Sequence, residues 1–212
     1  MKRSPEQFWQ KYSKTYTSFM QSHGAAYEDI INHLYPNLDK DSDVLELACG
    51  TGQLSVPLSG RVRKWLATDF SESMIQEAKK QPGPKQLSYE IADATRLPYK
   101  SASFDVVVIC NSLHIIENAD QAMSEIKRVL KPGGTLYAPN FLWSSKKFSH
   151  FRQHLFHQLG YKIFHRWNKQ QYVSFVRSCG FLITRHEIIP CHLAPICYLE
   201  ARTSFHSYSD KQ

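Results

Sequence analysis

The 212-residue chain has no run of about 18 consecutive apolar residues, which excludes a membrane-spanning helix of ordinary length. It has no C-x-x-C pair, and its five cysteines (Cys49, Cys110, Cys179, Cys191, Cys197) are odd in number and widely spaced. Neither a disulfide framework nor a zinc site follows from them. The opening residues Met1 to Trp9 lack the apolar stretch of a secretory signal, and the expected location is the cytoplasm. No fixed-period repeat and no low-complexity linker divides the chain. The most uneven absence is acidic. Residues 126–186 hold 11 Lys and Arg and no Asp or Glu, whereas residues 1–125 hold 13 basic and 16 acidic side chains. A basic segment of this kind is either a solvated surface or an attraction for small acids, nucleic acid or anionic membrane headgroups. His150, His154 and His157 share one helical face, but with Lys146, Lys147 and Arg152 beside them they read as a solvated basic face, and no metal is expected.

What is present is an alternation of strand and helix patterns. Apolar residues from Phe8 to Leu34 fall at helical spacing, broken near Gly24 and ended by Pro36. β-favouring runs follow at Val44–Ala48, Val62–Thr68, Leu87–Ala92, Phe104–Cys110 and Thr135–Pro139. The clearest helix spans 119–130, with Ala119, Ala122, Met123, Ile126, Val129 and Leu130 on one face, Asn118 and Gln121 as a capping pair, and Pro132-Gly133-Gly134 as the stop. Val106 to Ile109 is apolar on both faces, as a central parallel strand requires. The alternation predicts one α/β domain built on a doubly wound, seven-stranded, mostly parallel sheet of the Rossmann-like kind. Its expected parts are a helical cover over 1–36, a ligand-binding core over 43–140, a substrate-region insertion over 141–180 and final strands over 181–202. Phe181–Ile189 and Ala194–Ala201 are joined too tightly for a parallel crossover, so they should pair antiparallel.

The chemistry concentrates where successive strands end. In Val44-Leu-Glu-Leu-Ala-Cys-Gly-Thr-Gly52, Gly50 and Gly52 permit tight turning and close ligand approach, and Glu46 can hold a ligand's ammonium or fix the loop. Asp69, ending the next strand, can accept from a ribose diol, with Ser71 capping the helix that starts at Glu72. Asp93 can accept from an adenine amino group while the following amide donates to the ring. Each alone is a common surface aspartate; together, after three successive strands, they describe one nucleoside site.

These motifs resemble the class I S-adenosylmethionine-dependent methyltransferases, particularly the group that includes the ubiquinone and menaquinone biosynthesis C-methyltransferases, over about residues 8–140. The resemblance implies S-adenosylmethionine as cofactor and S-adenosylhomocysteine as its product. It implies that Glu46 to Gly52, including Ala48 where many members have glycine, form the cofactor loop. It makes Asp69 the ribose ligand, Phe70 and Met74 the adenine walls, and Asp93 and Ala94 the adenine-edge contacts. Asn111 and Ser112 match the segment whose first carbonyl receives the methionine ammonium. Leu130 to Leu136 match the turn into the fifth strand, and an antiparallel final pair is implied as well. Tyr16 is expected on a helix covering the cofactor, or else as a core aromatic.

The same topology binds nicotinamide dinucleotides, whose G-x-G-x-x-G/A fingerprint has Ser55 at its third small position here. A sulfonium methyl is already activated, so a base is needed only for a protonated acceptor. His114, just beyond the fourth strand, is the candidate base, the alternative being a histidine packed at a helix start. The aromatic residues of 141–180 (Phe141, Trp143, Phe148, Phe151, Phe156, Tyr161, Phe164, Trp167) with their basic neighbours suit a small aromatic or anionic acceptor. RNA and a membrane-associated lipophilic substrate share that composition. A cofactor-binding regulator without turnover is the non-enzymatic reading.

Overall fold

Alternate residues of the first and fourth strands belong to different cores, and this division explains the architecture. In the computed structural model, which describes residues 9–14, 24–143 and 161–203, β1 is Asp43–Leu47 and β4 is Phe104–Ile109. Leu45, Leu47, Val107 and Ile109 pack into one buried cluster. Val44, Val106 and Val108 pack into the other. A strand covered on both faces reads as a continuous apolar run because each side chain, up or down, is withdrawn from water.

The first face carries α4 (Ala119–Val129) and α5 (Lys169–Ser178). The second carries α1 (Gly24–Leu34), α2 (Ser55–Leu58) and α3 (Glu72–Ala78). Helix α4 buries Ala119, Ala122, Met123, Ile126 and Val129, with Asp120 in its first turn and Lys127 and Arg128 in its last, the signs that suit its dipole. Its expected cap does not form. Asn118 sits at φ −97°, ψ 61° and makes no side-chain capping bond. The same N-x-x-Q pattern does cap α5: Gln171 N–H donates to Asn168 Oδ1 and Asn168 N–H to Gln171 Oε1, both at 2.9 Å. Asn168 is extended (ψ 176°), the geometry a capping box needs.

With β2 (Lys64–Asp69), β3 (Leu87–Ile91), β5 (Leu130–Tyr137), β6 (Asn140–Phe141), β7 (Leu182–Ile189) and β8 (Ile196–Arg202), the sheet has eight strands. The order is β3-β2-β1-β4-β5-β8, with β7 outside β8. β3, β2, β1, β4 and β5 are parallel neighbours, and β8 runs antiparallel to both β5 and β7. Two-residue β6 also pairs with β8, continuing the line of β5 past Ala138 and Pro139, so the eight strands fill the seven expected places. The tight connection at 190–195 produced the antiparallel pair expected of it.

Pro132-Gly133-Gly134 does not stop α4. The helix ends at Val129, and the three residues lie inside β5, where Gly133 takes φ 74° and the register against β4 shifts between Phe104 and Val106. A Cβ on Gly134 would stand 2.8 Å from Lys131 O and 3.1 Å from Asp105 O, so only glycine admits this close strand approach. Ser71 likewise precedes α3 without a side-chain capping bond, its hydroxyl being paired with Ser73. Among the described residues no helix is long and apolar enough to cross a membrane.

The gap between β5 and β6 is pinned from both sides. Tyr172 is fully buried and donates its hydroxyl to Ala138 O (2.7 Å), while Asn111 N–H donates to Pro139 O (2.8 Å). Tyr172→Phe keeps the ring and strands that carbonyl, so unfolding in denaturant should show a loss of about 1–2 kcal/mol. An unchanged midpoint and slope would remove this bond from the account.

Candidate functional site

The parallel strands end on one edge of the sheet, and a cavity of about 370 Å³ opens there. Its size falls within the ~300–1,000 Å³ typical of small-molecule sites, and its position outside the carboxyl ends of the strands is where doubly wound sheets bind ligands. Nine of the residues singled out above line it: Ala48, Gly50, Asp69, Phe70, Met74, Asp93, Ala94, Asn111 and Ser112. Four turns bring them together.

The first turn follows β1. Ala48 stands at φ 52° and Gly50 at φ 57°, left-handed conformations that cost a residue with a Cβ about 1–2 kcal/mol. Gly50 N–H donates to Asp69 Oδ2 (2.9 Å) and Ser71 N–H to Asp69 Oδ1 (2.8 Å), so one carboxylate ties the loop after β1 to the loop after β2. Burial raises the pKa of Asp69 while those two bonds lower it, and the net direction is upward. Each oxygen keeps a lone pair for a ligand hydroxyl. The second turn places Phe70 over the cavity with 54% of its surface exposed, while Met74 is buried behind it. At the third, Asp93 Oδ1 accepts from Thr95 N–H (2.8 Å) and Thr95 Oγ1 (2.7 Å).

After β4, Asn111 adopts φ 50° and donates through Nδ2 to the Tyr27 hydroxyl (3.2 Å), which links the loop to α1. Among the described residues its Oδ1 is buried without a partner. Strained backbone at the ends of both β1 and β4, together with an unsatisfied buried acceptor, is the pattern expected of a ligand site rather than of a packed loop.

Three expectations need correction. Glu46 does not line the cavity: it is 2% exposed and accepts from Trp65 Nε1 (2.8 Å) and from the Ser55 hydroxyl, which is the loop-fixing alternative rather than the ligand-holding one. Gly52 does not line the cavity either. At φ 91° it turns the chain, and a Cβ there would meet the Tyr89 hydroxyl at 3.0 Å. His114 is fully buried and absent from the wall. Burial, opposed by its bond to Asn140, lowers its pKa from 6.5 to about 4, so it is neutral near pH 7 and shielded from any acceptor in the cavity. Tyr16 lies outside the described residues, as do Phe148, Phe151, Phe156 and the three histidines at 150, 154 and 157.

Other residues complete the wall, and of the aromatics expected to suit an acceptor Phe164 is on it. Trp9, Ile115, Ile116 and Phe164 supply apolar surface, and Cys110, which ends the fourth β-favouring run, is half-buried on the wall. Trp9 comes from a segment far from the other wall residues in the chain, so no local spacing marks it. Of the aromatic residues at 141–180, Phe141 and Trp143 are core and Trp167 stacks on His165 and Phe175. Among the described lining residues the charged side chains are Asp69, Asp93 and Glu117, all acidic.

The strand order, the acidic ribose-type turn and the aromatic platform coincide with a match of residues 45–138 to the methyltransferase domain family model. Over those residues, fewer than half of the chain, the protein is similar to a methyltransferase domain. The demethylmenaquinone methyltransferase of Leptospira interrogans is 40% identical over 114 residues, 49% of this chain and 46% of its own. The ubiquinone/menaquinone biosynthesis C-methyltransferase of Desulfotalea psychrophila is 34% identical over 93 residues, 43% of this chain and 38% of its own. The chain thus spans less than half the length of these curated relatives. Among solved structures, a chain of the complex between the Haloferax volcanii Trm112 methyltransferase activator and a methyltransferase superposes with TM-score 0.82 at 18% identity, covering 97% of this chain and 100% of that one. The magnesium protoporphyrin IX methyltransferase of Synechocystis PCC 6803, solved with bound S-adenosylhomocysteine, gives TM-score 0.68 at 19% identity over 88% and 87% of the two chains. At such identities the likeness is one of fold.

Two outcomes test the loop after β1. Ala48→Gly should raise unfolding free energy by up to about 1 kcal/mol by relieving the left-handed residue, whereas Ala48→Val should lower it; equal stabilities would deny the strain. Burial raises the Glu46 pKa from 4.5 to about 7. The folded state therefore keeps a proton that the unfolded chain has lost, and this contribution to stability declines as pH rises from 4.5 through 7. Glu46→Gln, which cannot ionise, should gain on the wild type across that window by on the order of 2–3 kcal/mol. Denaturant unfolding at several pH values reads the difference, and a gap constant with pH would contradict it.

Proposed function

We propose that the chain binds S-adenosylmethionine in this cavity and catalyses methyl transfer to a small aromatic acceptor. The observation that carries the reading is the charge of the wall. With Asp69, Asp93 and Glu117 as the charged lining residues described, a ligand bearing ammonium and sulfonium groups is favoured. The pyrophosphate of a nicotinamide dinucleotide would meet no cation among them, and the helix after the glycine turn, Ser55–Leu58, is one turn long. An adenine fits the exposed face of Phe70, with Met74 behind it and Asp93 and the Ala94 amide at its edge. Asp69 suits the ribose hydroxyls, and the Asn111 carbonyl suits the ammonium. Bound there, the cofactor supplies an activated methyl group.

The protein's own part is alignment and exclusion of water. Trp9, Ile115, Ile116 and Phe164 offer an apolar surface for the acceptor beside the cofactor positions. An anionic acceptor is disfavoured by the acidic wall. The basic segment is also less free than its composition implies, because Arg128 pairs with Glu125 (2.7 Å), Lys131 with Asp105 (2.8 Å) and Arg185 with Glu187 (2.6 Å). That weakens the case for nucleic acid or membrane. The names of the matched relatives point to a quinone-like ring as the first acceptor to try, with 1,4-dihydroxynaphthalene as its simplest reduced form.

Transfer of tritium from S-adenosyl-[methyl-³H]methionine to that diol is the direct test. Calorimetry should give a cofactor affinity in the micromolar range, about −8 kcal/mol. Asp69→Ala should weaken it by at least about 30-fold, since two charge-assisted bonds to the ligand and the loop tie are lost together. Undiminished affinity in the variant would take Asp69 out of the site. Cofactor binding without transfer to any acceptor class would favour a regulator.

A further inference from the structure

The side chain that the cavity excludes has a different use. His114 and Asn140 are both fully buried. Asn140 donates through Nδ2 to Phe141 O (3.1 Å), which turns its Oδ1 toward the imidazole. His114 Nδ1 lies 3.0 Å from that oxygen and so carries the proton, leaving Nε2 as an acceptor. The Tyr161 hydroxyl lies 2.9 Å from Nε2 and donates to it. The backbone repeats the connection, since His114 O accepts from Phe164 N–H (2.9 Å) and His165 N–H (3.1 Å). His165 Nε2 in turn reaches Ile116 O at 2.9 Å.

Two wall residues depend on this junction. Phe164 lies within the docked segment and lines the cavity, and Trp9, also on the wall, sets its ring edge-on to Tyr161 at 5.8 Å and 80°. Ile115 and Ile116 belong to the loop that His114 anchors. The imidazole therefore fixes the apolar part of the wall from behind without facing the ligand.

We propose that Tyr161 and His114 are positioning residues for the acceptor: their directed hydrogen bond docks residues 161–165 on the 112–117 loop and sets where Phe164 and Trp9 stand on the cavity wall. This rests on the reading of the cavity as a methyl-transfer site. The cofactor positions at Asp69, Phe70, Met74 and Asp93 belong to other loops, and Asn111, which precedes the docked loop, has its own ties to Tyr27 and to Pro139 O, so the pair should act chiefly on the acceptor.

The test is Tyr161→Phe, which keeps the ring and removes the donor. Three readouts separate its effects: cofactor affinity by calorimetry, KM and kcat with 1,4-dihydroxynaphthalene, and the rate of trypsin cleavage after Lys162 and Arg166, followed by mass spectrometry. One net hydrogen bond corresponds to roughly a 2- to 12-fold change in local opening. We expect cleavage at the two sites about 5-fold faster, KM for the diol up by a similar factor, and cofactor affinity unchanged within 2-fold. His114→Gln, which can accept through its amide oxygen, should restore part of the protection that His114→Ala loses. Equal cleavage and equal KM in Tyr161→Phe and wild type would overturn the proposal, as would parallel loss of cofactor and acceptor binding, which marks a general structural defect. If the wild-type protein does not methylate the diol, the acceptor reading fails separately and cleavage alone decides: acceleration in Tyr161→Phe supports the pair, and equal rates overturn it.

Discussion

The site hangs on the carboxylate of Asp69. It stands at the end of β2, yet its two oxygens accept from Gly50 in the loop after β1 and from Ser71 at the start of α3. Those backbone donors would otherwise face a cavity without partners. Glu46 does the complementary work one layer down, joining β1 to Trp65 of β2 and Ser55 of α2 in a buried cluster. Two acids thus hold one loop, the deeper by bonds within the scaffold and the shallower while still offering lone pairs to the cavity.

This arrangement explains why the strained residues lie where they do. Ala48 and Asn111 occupy left-handed conformations at the ends of the adjacent strands β1 and β4. Their loops must turn sharply at the same edge so that the cavity can open between them. The loop after β4 is held by Asn111 N–H on Pro139 O and, further along, by His114 on Asn140 and Tyr161. The gap between β5 and β6 therefore supports the binding edge as well as interrupting a strand.

Much of this was legible in the sequence, for identifiable reasons. The central strands β1 and β4 followed from apolar runs that are buried on both faces, and the turn residues Gly50, Asp69 and Asp93 followed from their place just beyond β-favouring runs. What escaped was set by tertiary geometry. Asn118 and Asn168 carry the same N-x-x-Q pattern, but only Asn168 has the extended backbone that lets it cap. Pro132-Gly133-Gly134 has a helix-stop composition, yet it is drawn into β5 by its approach to Asp105. For Glu46 and His114 the motifs left open a ligand-facing role and a structural one, and burial decides for the structural one. Trp9 reaches the wall from a distant segment, which no spacing rule encodes.

A crystal structure with S-adenosylhomocysteine tests the central claim most directly. The account predicts adenine on the face of Phe70 with its edge at Asp93, both ribose hydroxyls on Asp69, and the amino group at the Asn111 carbonyl. A nucleoside bound elsewhere on the sheet edge, or held without Asp69, would contradict it.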